Sequence, residues 1–479
     1  MHAIWRLSAL VILALSLGGC ATRGRLSVDC DDFPRFVRDL PYSPLEEQIR
    51  NSWPPQPQAF EGSGLALGGG EARDYDRAID KALSTQRRAE QAPRSIFAPR
   101  WTSANPVAQP SVLLLSGGGQ WGAFGAGLLT TLAQDGSSEM PNPVAITGVS
   151  TGALQMLFVG AGLDDPLVRD ALRRAYAPAK ESDVVDRQWK GLAVVTGAIS
   201  GLKPLRRRIE DALCSDAALR TARKAGAAPA CPLLDRLATT DTLMFSGFVE
   251  ASSGRFQYAD INAMARAEDL SAAQRRTCIA GAALASVAMP VFFQQVSVGG
   301  KTYFDGGVRQ SVFATHIYRR MTNRMIERHL TQGVMPLLVL RNGPTDVEAD
   351  LKADRTRNAL DAALRAEAIV VNQVEVSSVA ALRLQDPSGY LGFASADGWR
   401  DHLLDTGTPN AATCGALKAA DKEAQFAPAF MRCLMAYGDS RARQQRVWLP
   451  LITVGPPAIP LPKLPPPAND NEQGPGEDR

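Results

Sequence analysis

The chain is poor in the features that would narrow its chemistry at once. It has only four histidines in 479 residues and no Cys-x-x-Cys pair, so the ligand set of a zinc site is missing. Its net charge is +3 and it has no long basic tract, which argues against a nucleic-acid partner. It also lacks a long apolar run. Leu7–Leu17 would span roughly 16 Å as a helix at ~1.5 Å per residue, about half of a ~30 Å hydrocarbon core, and no other run is long enough to cross a membrane. What remains is the composition of a folded globular protein, 45% apolar and 21% charged, with material for one large domain or two ordinary ones.

The short apolar run follows Arg6 and ends in Leu17-Gly-Gly-Cys20, which fits a secretory h-region. That ending resembles a bacterial lipobox and implies cleavage before Cys20 and lipidation of its thiol. Ala21 follows the cysteine, which by the same resemblance favours sorting to the outer membrane. The implied location is the bacterial cell envelope, lipid-anchored and facing the periplasm; an ordinary signal peptide that happens to end near a cysteine is the plainer alternative. Export places the other six cysteines in a disulfide-permissive compartment. Six allow about 15 pairings. Cys214 with Cys231 and Cys414 with Cys433 are the local guesses, each closing a short loop worth on the order of 3 kcal/mol if unstrained.

Residues 21 to 108 are rich in Pro, Arg, Asp and Glu, with Trp53-Pro-Pro-Gln-Pro57 as a non-helical connector. Tyr75–Glu90 reads as one charged surface helix, Gly68-Gly-Gly70 as a hinge, and the region as a tether or a wrap over the main domain. From Pro110 the pattern changes. Ser111–Leu115 leads into Ser116-Gly-Gly-Gly119-Gln-Trp-Gly122 and a helix to Gln134; Pro143–Val149 leads into Ser150 and a helix from Gly152 to Gly162. Two successive strand–loop–helix units predict an α/β sheet with parallel strands and helices on its faces. Further on, residues 166–240 read as mostly helical, Thr242–Val249 with Gly254–Tyr258 as a hairpin, and Thr277–Ala288 as an Ala-rich helix. A second hairpin, Val296–Val298 with Lys301–Phe304, turns on Gly299-Gly300 and runs into Asp305-Gly-Gly307. Met335–Leu340 is a strand, Asp350–Leu384 and Phe426–Gln444 are helices, Val447–Val454 is a last strand, and the Pro-rich tail after Pro456 is disordered.

Three pieces of this pattern carry chemistry. Gly148-Val-Ser150-Thr-Gly152 is a Gly-x-Ser-x-Gly at a strand-to-helix turn, where glycines relieve the crowding and the serine projects beside a helix N-terminus. Gly117-x-Gly119-x-x-Gly122 matches a dinucleotide fingerprint, but the second strand ends in Gly148-Val-Ser150, with no acidic residue for a ribose. Read with Ser150, the loop Gly117, Gly118, Gly119 offers backbone N–H donors to a developing oxyanion. Ser150 then needs a base. His316, His329 and His402 lie in charged segments and read as surface histidines. Asp305 is the better candidate, because it ends a strand and two glycines let the backbone turn away from its carboxylate.

In identity and order, the glycine loop, Gly-x-Ser150-x-Gly and Asp305-Gly-Gly307 resemble the patatin-like phospholipase family over residues 110–345, as does Ala285-Ser-Val-Ala-Met-Pro290. The resemblance implies an α/β/α three-layer sandwich around a mainly parallel sheet and a Ser150–Asp305 dyad without histidine. It also implies a Gly117–Gly119 oxyanion loop, no cofactor or metal, and a phospholipid or other acyl-ester lipid as substrate. One position departs from the family, Trp121 standing where Lys or Arg is usual. The expected organisation is a signal peptide (1–19), a lipidated N-terminal segment (20–108), a catalytic domain (109–345), a mostly helical extension packed on it (346–455) and the tail (456–479). The expected partners are the lipid substrate and the membrane reached through the anchor. Two alternatives remain at this point: an α/β-hydrolase with a Ser-Asp-His triad, and a catalytically silent envelope lipoprotein that binds lipid or protein.

Overall fold

A computed structural model of the chain describes residues 25–42, 69–91, 106–187, 197–314, 335–348, 359–385, 390–404, 411–422 and 424–451, with isolated positions at 46–49 and 317–328. The expected signal peptide, Cys20, Gly68 and the tail lie outside the described residues.

Among the described residues, eleven strands form one sheet. They are β1 (Arg25–Val28), β2 (Val37–Asp39), β3 (Pro110–Leu115), β4 (Asn142–Val149), β5 (Leu243–Glu250), β6 (Phe256–Asp260), β7 (Gln295–Val298), β8 (Lys301–Asp305), β9 (Leu337–Leu340), β10 (Leu391–Ala394) and β11 (Leu449–Pro450). The central run β5-β4-β3-β9-β10 is parallel throughout. Beyond β5, strand β8 runs antiparallel to β5 and to β7, and β1 lies parallel to β7. Strand β6 returns antiparallel to β5 and carries β2, and β11 closes the other edge antiparallel to β10.

Both faces of the centre are covered, so its strands are apolar without alternation. Leu113 and Leu115 point into one core and Val112 and Leu114 into the other; Leu338 and Leu340 alternate with Leu337 and Val339 in the same way. The helices are α1 (Gly69–Gln91), α2 (Gly122–Gln134), α3 (Thr151–Ala161), α4 (Pro166–Ala175), α5 (Lys203–Leu213), α6 (Ala272–Ser286), α7 (Ala359–Gln385) and α8 (Pro428–Ala442), with three shorter ones among the described residues between Asp216 and Ala265 and another at Cys414–Ala420. Helices α2 to α6 and α8 contribute to the first core, α1 and α7 to the second. The result is the expected mainly parallel sheet between two helical layers.

The N-terminal region is part of this body. Strands β1 and β2 extend the sheet, and Cys30 is bonded to Cys278 on α6. Gly69 and Gly70 form the first turn of α1 instead of a hinge. Tyr75, Ala78 and Ile79 on that helix are buried against the sheet; their i, i+3, i+4 spacing is a narrow apolar stripe hidden among charged neighbours. Cys214 pairs with Cys231 and Cys414 with Cys433, as the local spacing suggested.

Candidate active site

Ser150 sits between β4 and α3 with φ 54° and ψ −126°, a conformation that L-residues avoid and that marks stored strain at functional turns. The flanking glycines are obligatory for a packing reason. A Cβ on Gly148 would lie 2.5 Å from the Gly152 carbonyl oxygen, and one on Gly152 would lie 2.2 Å from that of Leu115. The turn is pinned from outside as well. The Ser150 N–H donates to Ser286 Oγ at 2.8 Å, and Ser286 donates in turn to the Gly247 carbonyl at 2.6 Å. The Tyr176 hydroxyl donates to the Thr151 carbonyl at 2.8 Å.

Sheet register brings Asp305 to this turn. Val149 on β4 pairs with Gly247 on β5, and the next β5 residue, Phe248, pairs with Asp305 on β8. The Asp305 carboxyl is 1% exposed. Its Oδ1 accepts the Gly307 N–H at 2.7 Å, whereas Oδ2 is buried and accepts no hydrogen bond from the described residues. Burial pushes its pKa up to about 7. The nearby Ser150 hydroxyl and the Gly307 N–H pull the other way, and Glu375 adds to the rise. Ser150 is thus near enough to act on the carboxyl electrostatically, although no bond of standard geometry joins them, a looseness common in empty catalytic sites.

The glycine loop lies on the other side of Ser150. A Cβ on Gly117 would be 3.3 Å from Ser150 Cβ, and one on Gly118 (φ 142°) would overlap the Asn342 carbonyl oxygen at 1.8 Å. Gly119 differs: its φ is 56°, but a Cβ there would meet nothing within 4 Å. Among the described residues, neither the Gly118 nor the Gly119 N–H donates to a backbone carbonyl. Both are therefore free for a ligand, while the Ser150 N–H is taken by Ser286. Asn342, at the end of β9, clamps the loop. Its N–H donates to Ser116 Oγ at 3.0 Å, and its Nδ2 donates to the Ser116 carbonyl at 2.9 Å and to Gln155 Oε1 at 2.8 Å. Gln155 Nε2 donates onward to the Gly122 carbonyl at 2.8 Å.

Trp121 turns away into an aromatic cluster, with ring centroids 4.9 Å from Trp399 and 5.2 Å from Phe430. Lys418 Nζ stands 4.7 Å above the Trp121 ring and pairs with Glu348; burial lowers its pKa to about 8. The cation here stands over the Trp121 ring, delivered by the C-terminal segment.

Ser150 and Gly119 open into a cavity of about 410 Å³ walled by apolar side chains, among them Leu157, Phe158, Leu205, Ile209, Phe293 and Met431. That volume is in the range of small-molecule sites, and the lining suits a hydrocarbon chain. No histidine lines it among the described residues. His316 and His329 lie outside those residues, and His402 lies against Tyr437 in the C-terminal segment, with ring centroids 5.3 Å apart and planes tilted by 55°.

Two features of the surroundings escaped the sequence reading. Glu375 on α7 is buried, accepts the Ser311 hydroxyl at 2.8 Å and pairs with Arg341 at 3.0 Å; burial raises its pKa. Glu367, two turns earlier, is raised to about 8, by burial first and by Asp305 second. A glutamate inside a long charged helix carries no mark of this role. The second is Asn342, whose only signal was its position just after an apolar strand, where loops of parallel sheets gather.

A serine in a strained strand-to-helix turn, at the carboxyl ends of parallel strands, defines the class of α/β folds built around a nucleophile elbow. Residues 113–317 match the family model described as patatin-like phospholipase. Among solved structures, the chain is similar to VipD from Legionella pneumophila, at 12% identity over 68% of this chain and 67% of that one, with a TM-score of 0.29. No curated protein matches it.

Proposed function

We propose that the protein hydrolyses lipid acyl esters through an acyl-Ser150 intermediate, with Asp305 as the base and no histidine. The observation that carries this reading is the positive-φ Ser150, set between a buried carboxyl with an unpartnered oxygen and the mouth of an apolar cavity. Ser150 Oγ attacks the ester carbonyl carbon while its proton passes to Asp305 Oδ2. The free N–H groups of Gly118 and Gly119 receive the oxyanion. Collapse expels the alcohol, which takes its proton from Asp305, and water then attacks the acyl-serine with Asp305 again as base.

An ordinary aspartate, with a pKa of ~3.9, is a weak base for a serine hydroxyl. At about 7 the carboxyl is far better matched to the transfer, and the oxyanion donors and the α3 dipole supply the rest. The apolar cavity takes the acyl chain.

The same proposal includes an envelope lipoprotein anchored at Cys20. Because β1 begins at Arg25, the intervening chain reaches at most about 18 Å at ~3.5 Å per residue. An anchor at Cys20 would hold the folded body against the membrane instead of trailing it on a tether of about 90 residues.

Treatment with a fluorophosphonate, followed by peptide mass analysis, tests the reading. An adduct on Ser150 that disappears in Ser150→Ala is expected. Folded wild-type protein that takes up no probe would support a silent lipid-binding protein. His316→Ala, His329→Ala and His402→Ala should each label as wild type; loss in any one would turn the assignment to a triad.

A further inference from the structure

Helix α7 is built inside out. All five of its charged residues, Asp361, Arg365, Glu367, Glu375 and Arg383, are half-buried or buried, and every exposed residue from Ala362 to Gln385 is uncharged. At about 100° per residue the exposed set, Ala368 aside, falls on one half of the helix, opposite the buried Glu375, Val379 and Leu382. That face carries Ile369 (47% exposed), Val370 (58%), Val376 (41%) and Leu384 (69%), separated by alanines, Gln373 and Ser377. Surface helices of globular proteins show the reverse pattern, with charge outward. Val308, three residues after Asp305, is another exposed apolar side chain, and α7 packs on the turn at Gly306–Val308 that bears it.

We infer that the outer face of α7, with Val308, is a docking surface for a phospholipid bilayer, and that it presents the lipid to Ser150. The inference rests on the acyl-hydrolase reading. The strip adjoins the site. The inner face of α7 places Glu375 on Ser311, and Glu375 Oε1 would be 3.8 Å from a Cβ on Gly117. The outer face lies across the helix from that contact, and the exposed Val308, on the turn that α7 packs against, brings apolar surface to within three residues of Asp305. The strip offers no charge and few hydrogen-bonding groups, so it has little with which to select a folded protein surface; an acyl-chain boundary needs only apolar area. Arg365 and Arg383 flank the strip half-buried, where long cationic stems suit the headgroup level.

The test uses the full chain with Cys20→Ser, so that no acyl anchor contributes, and Ser150→Ala in addition where binding alone is read. Sedimentation with phosphatidylcholine vesicles containing phosphatidylglycerol is compared for this protein, for I369E/V370E and for the control Leu167→Glu, a change at an exposed leucine on α4. The double variant should bind about tenfold or more weakly, and in the Ser150 background should hydrolyse vesicle phospholipid correspondingly more slowly. Hydrolysis of a water-soluble butyrate ester should stay at the parent level, and Leu167→Glu should match the parent throughout. Equal vesicle binding by parent and double variant would overturn the inference. So would a parent dimer that I369E/V370E converts to monomer with vesicle binding intact, which would assign the face to a second copy. Vesicle binding that follows the prediction in a protein inert toward both esters would uphold docking while refuting the hydrolase reading.

Discussion

Residues 110–314 and residues 335–451 meet at the same serine but supply it differently. The first segment provides the proposed reacting groups at strand ends: Ser150 after β4, Asp305 at the end of β8, and the free N–H groups of Gly118 and Gly119 after β3. The second adds outside contacts to the glycine loop and to Ser311, whereas the Ser150 turn itself is pinned by Ser286 and Tyr176 of the first segment. Asn342 ties Ser116 to Gln155, Glu375 holds Ser311, and Gln120 Oε1 accepts the N–H of Ala427, just before α8, at 3.0 Å. The family match ends at residue 317, so much of the support lies beyond it. Reacting groups and their scaffold can occupy separate stretches of sequence, and only the former are written in glycine-marked motifs.

Substitutions in the two segments should sharpen this contrast. Largest is the loss on Asp305→Asn, which keeps the shape but removes the proton acceptor. Hydrolysis of a soluble ester should fall by about 10³-fold or more, with thermal stability unharmed, since the buried carboxyl gives up its charge. Next is Gly118→Ala, whose methyl would displace the loop from the Asn342 carbonyl; kcat should drop on the order of 10²–10³-fold. Gly119→Ala should cost no more than about tenfold, because only the left-handed backbone opposes it, at roughly 1–2 kcal/mol. Equal losses at both glycines would break the account of how Asn342 shapes the loop.

Asn342→Ala tests the second segment directly. It leaves Gln155 and Ser116 with buried unpaired groups, each worth about 1–3 kcal/mol. Chemical denaturation should register that loss while the protein still labels, more slowly, with fluorophosphonate. The smallest effect is on pH. Glu375 raises the Asp305 pKa, so Glu375→Gln lets the aspartate ionise more readily. The acid limb of kcat/KM should then move to lower pH, and a limb that stays in place would separate Glu375 from the base.

The parallel centre of the sheet, the serine turn and Asp305 were legible because each rests on a local rule: apolar runs bounded by glycines, and a turn too crowded for side chains. The N-terminal strands and the burial of α1 were not. Arg25–Val28 and Val37–Asp39 are short edge elements whose pairing is set by distant partners, β7 and β6, and by the Cys30–Cys278 bond. The loop Gly117–Gly119 was legible as a whole, but not that Gly118 is the position with no room and Gly119 the open one. Glu375 was invisible, because nothing in a helical run announces which glutamate turns inward.

The central claim is that Asp305, and no histidine, activates Ser150. The rate of Ser150 phosphonylation as a function of pH tests it most directly. Because the folded carboxyl titrates near 7 and only its ionised form accepts a proton, the rate should rise through a midpoint near 7 to a plateau at higher pH. It should be lost in Asp305→Asn and unchanged in His402→Ala. An unaltered profile in Asp305→Asn, or one abolished by replacing a histidine, would contradict it.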